Sequence, residues 1–202
     1  MANRIIVSIS GASGVIYGIR ALEMLRDLGL ESHLILTPAA KVTIAQETDF
    51  KVSDVIALAS VSHDSRDIGA SIASGSFETR GMIVIPCSIK TLSAVANSYA
   101  DELTSRAADV CLKEGRPLVL VVRETPLHPG HIRLMELAAQ AGAVIFPPVP
   151  SFYGRPQSST TSLQPRSAEP WPGSVWRTPA TRVGKDSPRL PAGGSLLLQQ
   201  TH

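Results

Sequence analysis

The chain opens with an apolar run that passes straight into a cluster of small residues and then into a helical pattern: Ile5-Ile6-Val7-Ser8-Ile9-Ser10-Gly11-Ala12-Ser13-Gly14-Val15-Ile16-Tyr17-Gly18. A plain turn needs one or two glycines. Here Gly11, Gly14 and Gly18 are joined by the hydroxyls of Ser10 and Ser13, with almost no bulk before Val15. A loop of this kind after a buried strand lets the backbone come close to a ligand, and the following helix aims free N–H groups and its positive dipole end at it. The spacing Gly-x-x-Gly-x-x-x-Gly is not the dinucleotide fingerprint, and no Lys-Ser/Thr pair makes it a triphosphate loop. Two readings stay open from these residues alone: a cradle for an anion or flat cofactor, and a simple strand-to-helix turn.

The rest of the chain repeats the strand-then-helix alternation. Arg4 to Ile9, His33 to Leu36, Met82 to Pro86, Leu118 to Val122 and Ala143 to Phe146 read as strands. Helical spacing covers Val15 to Leu28, Ala39 to Glu47, Thr91 to Ser98, Leu103 to Glu114 and His131 to Ala141, the last ended by Gly142. The runs "MIVIP" and "LVLVV" lack polar alternation, as expected of strands buried on both faces. The predicted fold class is α/β: a Rossmann-like, doubly wound, mainly parallel sheet with helices on both sides.

A length of 202 residues fits one domain with a substantial core, and 44% hydrophobic with 18% charged residues describes a globular protein. The net charge of +2 gives no general attraction for nucleic acid or an anionic membrane. No stretch is long and apolar enough to span a bilayer. Cys87 and Cys111 have neither disulfide nor zinc spacing, which points to a reducing, cytoplasmic setting. Organisation changes near Ser158. Residues 1–158 read as the Rossmann-like domain core, whereas 159–202 form a Pro/Ser/Arg-rich tail without lasting periodicity, expected to be disordered or irregular.

Other small-residue and charged positions gather at predicted strand ends. Pro86-Cys87-Ser88-Ile89-Lys90-Thr91 follows a buried strand, and Ser88 and Thr91 are suited to cap the next helix. Ser74-Gly75-Ser76 forms another loop of small donors. Arg123 and Glu124 directly follow the strand Leu118 to Val122, a position where sites form in such sheets. Arg106 and Lys113 are seven residues apart and share a helix face. Glu47 is a candidate second carboxylate, with a solvated helix end as the alternative. His128 and His131 have no metal spacing with any carboxylate.

Taken together, "SISGASGVIYGIR", "ETDF", "ASGSFET", "IPCSIKTLSAV", "RAADVCLKEGRPLVLVVRETPLH" and "PPVPSFYGRPQS" resemble the flavin prenyltransferases of the UbiX type, in order, over about residues 3 to 158. The resemblance implies an enzyme that joins the dimethylallyl group of dimethylallyl phosphate to N5 and C6 of reduced FMN and releases phosphate. It implies no metal, a dodecameric homo-oligomer, and a UbiD-type decarboxylase that receives the prenylated FMN in ubiquinone biosynthesis or aromatic-acid metabolism. By position, Gly11, Ala12, Ser13, Ser88, Ile89, Lys90, Thr91 and Arg123 would contact FMN. Arg106, Lys113 and Tyr153 would surround dimethylallyl phosphate, and Ser13, Glu47 and Glu124 would serve proton transfers. Two other readings stay open: a flavin-dependent decarboxylase acting directly on an acid, and a non-catalytic FMN-binding subunit. Against the former, neither His63, His128 nor His131 falls in the Gly-rich or Ser88–Thr91 loops.

The chain departs from the family twice. Where the family commonly has Ser-Lys as a flavin contact, this chain has Thr37-Pro38, with Thr37 keeping a hydroxyl. After "PQS" the family continues with a helix carrying a phosphate-binding arginine, and nothing after Ser158 resembles it. If Ser159-Thr160-Thr161-Ser162 is encoded TCG-ACG-ACG-TCN, reading from one nucleotide earlier gives Asp-Asp-Val, a family-like continuation. The expectation is a frameshift near codon 158.

Overall fold

The computed structural model describes residues 3–149. The tail, Tyr153 and the frameshift position lie outside the described residues. Six parallel strands form one sheet in the order β3-β2-β1-β4-β5-β6. They are β1 (Arg4–Ile9), β2 (Glu31–Leu36), β3 (Val61–Asp64), β4 (Met82–Cys87), β5 (Leu118–Val122) and β6 (Val144–Ile145). This is the Rossmann order, in which the winding reverses between β1 and β4. Pairing is in register along β1 and β2, from Arg4↔Glu31 to Ile9↔Leu36.

The apolar runs become the central strands because both sheet faces are covered. Ile5, Val7, Ile9, Ile83, Ile85, Val119 and Val121 face α1 (Val15–Asp27), α2 (Pro38–Glu47) and α3 (Val52–Leu58). Ile6, Met82, Val84, Leu118 and Leu120 face α4 (Ile89–Ala96), α5 (Leu103–Lys113) and α6 (Pro129–Gln140). Gly18 lets α1 lie against the sheet, since a Cβ there would come within 2.5 Å of the Ile85 carbonyl oxygen. One polar pair is sealed within the second layer, where the Ser8 and Thr104 hydroxyls meet at 2.9 Å.

Two helices begin two residues earlier than their periodicity predicts, and capping explains both. Ser88 accepts from Thr91 N at 3.3 Å, so α4 starts at Ile89. His128 caps α6 through Nδ1, and Pro129 occupies the first helical position. The elements absent from the sequence reading are α3 and β3. The edge strand β3 is four residues long and mostly exposed, so no apolar alternation marks it.

Ile83 sits in the central strand β4 and is 1% exposed. Ile83→Ala should lower stability by about 2–5 kcal/mol, read as a shift in the denaturant midpoint at unchanged slope.

Candidate FMN site at the switch point

The loops after β1 and β4 meet at the carboxyl edge of the sheet. Ser10 joins them: its hydroxyl donates to the Pro86 carbonyl at 2.8 Å and accepts from Ser88 N at 2.8 Å. Ser10 is buried, so its hydroxyl pins the two loops together instead of facing a ligand. Arg123 N donates to the Cys87 carbonyl at 3.1 Å, and Thr37 N to the Ile9 carbonyl at 3.2 Å. The chain leaving β2, β1, β4 and β5 is thereby tied into one rim.

The sequence expectation for the first loop needs a correction. The N–H groups at the start of α1 are already used: Glu47 Oε2 accepts from Gly14 N at 2.7 Å and Val15 N at 3.4 Å. Gly14, at φ 93°, supplies the left-handed turn and has no side chain to cap the helix. A carboxylate from the end of α2 therefore takes the place a ligand anion would occupy. Burial alone would raise the Glu47 pKa. The Ser13 hydroxyl, the two N–H groups and the Arg123 charge outweigh it and hold the carboxyl below its ordinary value. Ser13, Glu47 and Arg123 thus act on one another across three different elements.

The open helix end is that of α4. Ser88 closes its first turn, while the N–H groups of Ile89 and Lys90 have no partner among the described residues. Lys90 is exposed at the same end. Two unpartnered donors, a lysine and the helix dipole suit a phosphate monoester. Gly11 and Ser13 are exposed on the facing loop, with Ala12 buried between them. Thr37 accepts from Ala40 N at 3.2 Å as the cap of α2, which leaves its hydroxyl proton free to donate into the same rim. These residues fit a flat cofactor with a terminal phosphate.

Glu124, exposed beside Arg123, accepts from Thr125 N at 3.0 Å. Arg106 and Lys113 lie elsewhere. The buried face of α5 carries Leu103, Ala107, Val110 and Cys111, so Arg106 and Lys113 point outward. Arg106 pairs with Asp109 at 3.5 Å and Lys113 with Glu114 at 2.5 Å. Lys113 ends α5 at the amino edge of the sheet, above Gly75, where an added Cβ would come within 3.1 Å of its Nζ. A cleft of about 450 Å³ at that edge is lined by Arg4, Ser71, Ser74, Ser76, Phe77 and Glu78. Arg116, which the sequence reading passed over, anchors this loop by donating to the Gly75 and Phe77 carbonyls at 2.6 Å each. It sits in the Gly-Arg-Pro turn between α5 and β5, inside a segment that resembles the family, with nothing in the sequence alone to assign it a role.

The remaining candidates take no part in this geometry. Cys87 and Cys111 are free and buried. Burial pushes the Cys111 thiol up to about 12 and raises that of Cys87 as well, so neither is a thiolate nucleophile at neutral pH. The His128 and His131 rings lie tilted against each other, centroids 3.7 Å apart, at the start of α6. Among the described residues no helix is long and apolar enough to cross a membrane, and no group of three or more His, Cys, Asp or Glu could hold a metal ion.

Glu47 supplies a pH test. Its folded pKa lies below the ordinary 4.5, so its contribution to stability is complete above that value and lost as pH falls through the lowered one. Glu47→Gln should remove this part of the acid limb. Unfolding midpoints measured from pH 6 to pH 3 should then fall less steeply in the variant than in the parent.

The flavoprotein family model matches residues 1–148. The flavin prenyltransferase UbiX of Escherichia coli (strain K12) is 64% identical over 156 residues, 77% of this chain and 82% of that one. A solved UbiX structure in complex with FMN and dimethylallyl pyrophosphate is 48% identical with a TM-score of 0.78, covering 81% of this chain and 89% of that one. A dodecameric FMN-dependent UbiX-like decarboxylase from Escherichia coli O157:H7 is 46% identical with a TM-score of 0.78, covering 79% and 88%. With this identity, coverage and strand order, the chain belongs to the flavoprotein family and, within it, to the UbiX-type flavin prenyltransferases.

Proposed function

We propose that this protein is a flavin prenyltransferase that transfers the dimethylallyl group of dimethylallyl phosphate to reduced FMN, for use by a UbiD-type decarboxylase. The observation that carries this reading is the convergence at the switch point: the Gly11–Ser13 loop faces the open end of α4, with Glu47 and Arg123 beside them. Bound reduced FMN supplies the nucleophilic N5 and C6 positions. Ile89 N, Lys90 N and the Lys90 ammonium hold its phosphate, with Ser88 and Thr91 shaping that turn. Thr37 donates from the end of β2, and Arg123 steadies the ring system. Glu47, kept ionised, accepts a proton through Ser13, and Glu124 serves as the second carboxylate. A cytoplasmic setting belongs to the same proposal and is supported by the two unpaired cysteines.

The leaving phosphate needs cations where its charge develops. Arg106 and Lys113 carry that role in this proposal, but they face outward from α5, and Lys113 lies at the amino edge, opposite the switch point of its own chain. A second copy of the chain resolves this, because Lys113 and the Ser74–Ser76 loop lie together at the amino edge, ready to be presented to a neighbour. The dodecameric relative supports a homo-oligomer with sites at subunit boundaries. Tyr153 is assigned to the same substrate from the family pattern alone.

The tail belongs to the proposal as a frameshift. In the frame one nucleotide earlier, each codon takes its last two bases from the first two of the present codon. Trp171 and Trp176, always TGG, become NTG, which encodes Leu, Met or Val. Serines written TCN at positions 162, 167 and 174 become NTC, again apolar. Positions 167, 171 and 174 then follow helical spacing. One choice of synonymous codons reads Asp-Asp-Val-Ala-Ala-Thr-Ala-Val-Gly-Arg-Thr-Leu-Ala-Arg-Phe-Gly-Val-Glu, with arginine where Glu169 now stands. That restores the kind of helix and phosphate ligand the family carries. Sequencing the gene decides it, and an intact frame through this stretch, unshifted against close relatives, would sink the idea.

Incubation with reduced FMN and dimethylallyl phosphate should add a dimethylallyl mass to the flavin. Carbon dioxide release from an aromatic acid with no change in flavin mass would overturn the reading. Ser13→Trp should fill the rim and abolish FMN retention in a folded protein. A charge-assisted hydrogen bond contributes about 1.5–3 kcal/mol. The present chain, without the tail arginine, should therefore bind dimethylallyl phosphate roughly 10- to 150-fold more weakly than a chain with the family-type tail restored, at similar FMN affinity.

A further inference from the structure

A chain of polar contacts crosses the other half of the sheet and takes no part in the flavin site. Arg4 Nε donates to Glu31 Oε2 at 3.2 Å, and Glu31 Oε1 lies 3.0 Å from His33 Nε2. His33 Nδ1 lies 2.9 Å from His63 Nε2 on the edge strand β3. The edge of Phe77 meets the His33 ring at a centroid distance of 4.8 Å, and Arg4 lies 5.3 Å over the Phe77 ring. His33 is 5% exposed, so a lost partner leaves a largely buried polar ring nitrogen. Phe77 in turn ends the Ser74–Ser76 loop and lines the cleft at the amino edge.

The chemistry fixes the protons. An ionised Glu31 only accepts, so His33 Nε2 carries hydrogen. Neutral His33 must then accept at Nδ1, and His63 Nε2 donates to it. One further proton can be shared by the pair without breaking the bond. A second makes both rings imidazolium, places two N–H groups face to face and breaks it. The charged groups around the pair are Arg4 from β1, Glu31 from β2, Asp67 from the loop after β3, and Glu78 at the cleft wall.

We infer that His33 and His63 are positioning residues: their hydrogen bond holds the Phe77 ring, and acidification releases that ring and loosens the Ser74–Ser76 loop, whose backbone Arg116 still ties at the Gly75 and Phe77 carbonyls. Burial and the neighbouring His33 charge lower the His63 pKa against the opposing pull of Asp67. The bonded state is therefore complete above the ordinary value of 6.5 and is lost as pH falls through the lowered one. The functional consequence rests on the proposed role of Lys113, which lies over Gly75 of this loop, at the substrate phosphate. The contact between histidine pair and loop does not.

Hydrogen–deuterium exchange of the full-length protein separates the two. After correction for the intrinsic pH dependence of exchange, peptides covering Ser74 to Arg80 should lose protection between pH 7.5 and pH 5. His63→Gln keeps a donor toward His33 but cannot titrate, so its loop should stay protected throughout. His63→Phe keeps the ring without a donor, and its loop should exchange faster at every pH. Equal profiles for the parent and both variants, or loss of protection in His63→Gln matching the parent, would overturn the inference. Binding of dimethylallyl phosphate should weaken by up to tenfold per pH unit in the parent below the midpoint and stay level in His63→Gln. If no binding occurs at any pH while the exchange pattern holds, the prenyltransferase reading fails and the histidine coupling stands.

Discussion

The hydroxyl of Ser10 is the joint on which the flavin site depends. It stands at the one place where the sheet reverses its winding, buried, donating to the end of β4 and accepting from the first residue after it. Two loops that diverge from adjacent parallel strands would otherwise separate, because each strand feeds a helix on the opposite face. With the hydroxyl engaged on both sides, the Gly11–Ser13 backbone and the start of α4 keep a common rim. The same economy of polar groups appears at Thr37, which caps α2 with its oxygen and retains its proton. A carbon side chain at Ser10 would leave the part-buried Ser88 N–H without its partner, and the Pro86 carbonyl with only the Ser10 backbone N–H at 3.2 Å.

Electrostatics divides the rim into two regions. Glu47 neutralises the start of α1, so that end repels a phosphate and favours a proton or a cationic centre. The start of α4 keeps its donors and Lys90, so that end attracts a phosphate. Arg123 lies near enough to Glu47 to help keep it ionised. A cofactor with one anionic end and one reactive end is thereby oriented before any specific contact forms. This arrangement reverses the simplest expectation for a glycine-rich loop, in which the first helix would itself bind the anion.

The amino edge of the same sheet is also chemically equipped. Lys113 over Gly75, Arg116 on two loop carbonyls and the Arg4–Glu31–His33–His63 chain all converge there. A single Rossmann unit places its ligands at the carboxyl edge. A second polar cluster stands at the opposite edge of this sheet, separate from the switch point.

The central strands, the doubly wound class and the Gly11–Gly14 and Ser88–Thr91 loops were legible in the sequence. Buried parallel strands must be continuous apolar runs, and backbone-approach loops must be small. Arg123 and Glu124 were legible for the same reason, since a strand's end fixes which sheet edge they occupy. The α3–β3 segment was not legible, because a short exposed edge strand needs no apolar alternation. Glu47's role as a cap on a helix about thirty residues away, Ser10's role as a pin, and the placement of Lys113 at the opposite edge were decided by tertiary structure alone. Each depends on which elements meet in space, and a linear pattern records the face a residue occupies but not the partner packed against it.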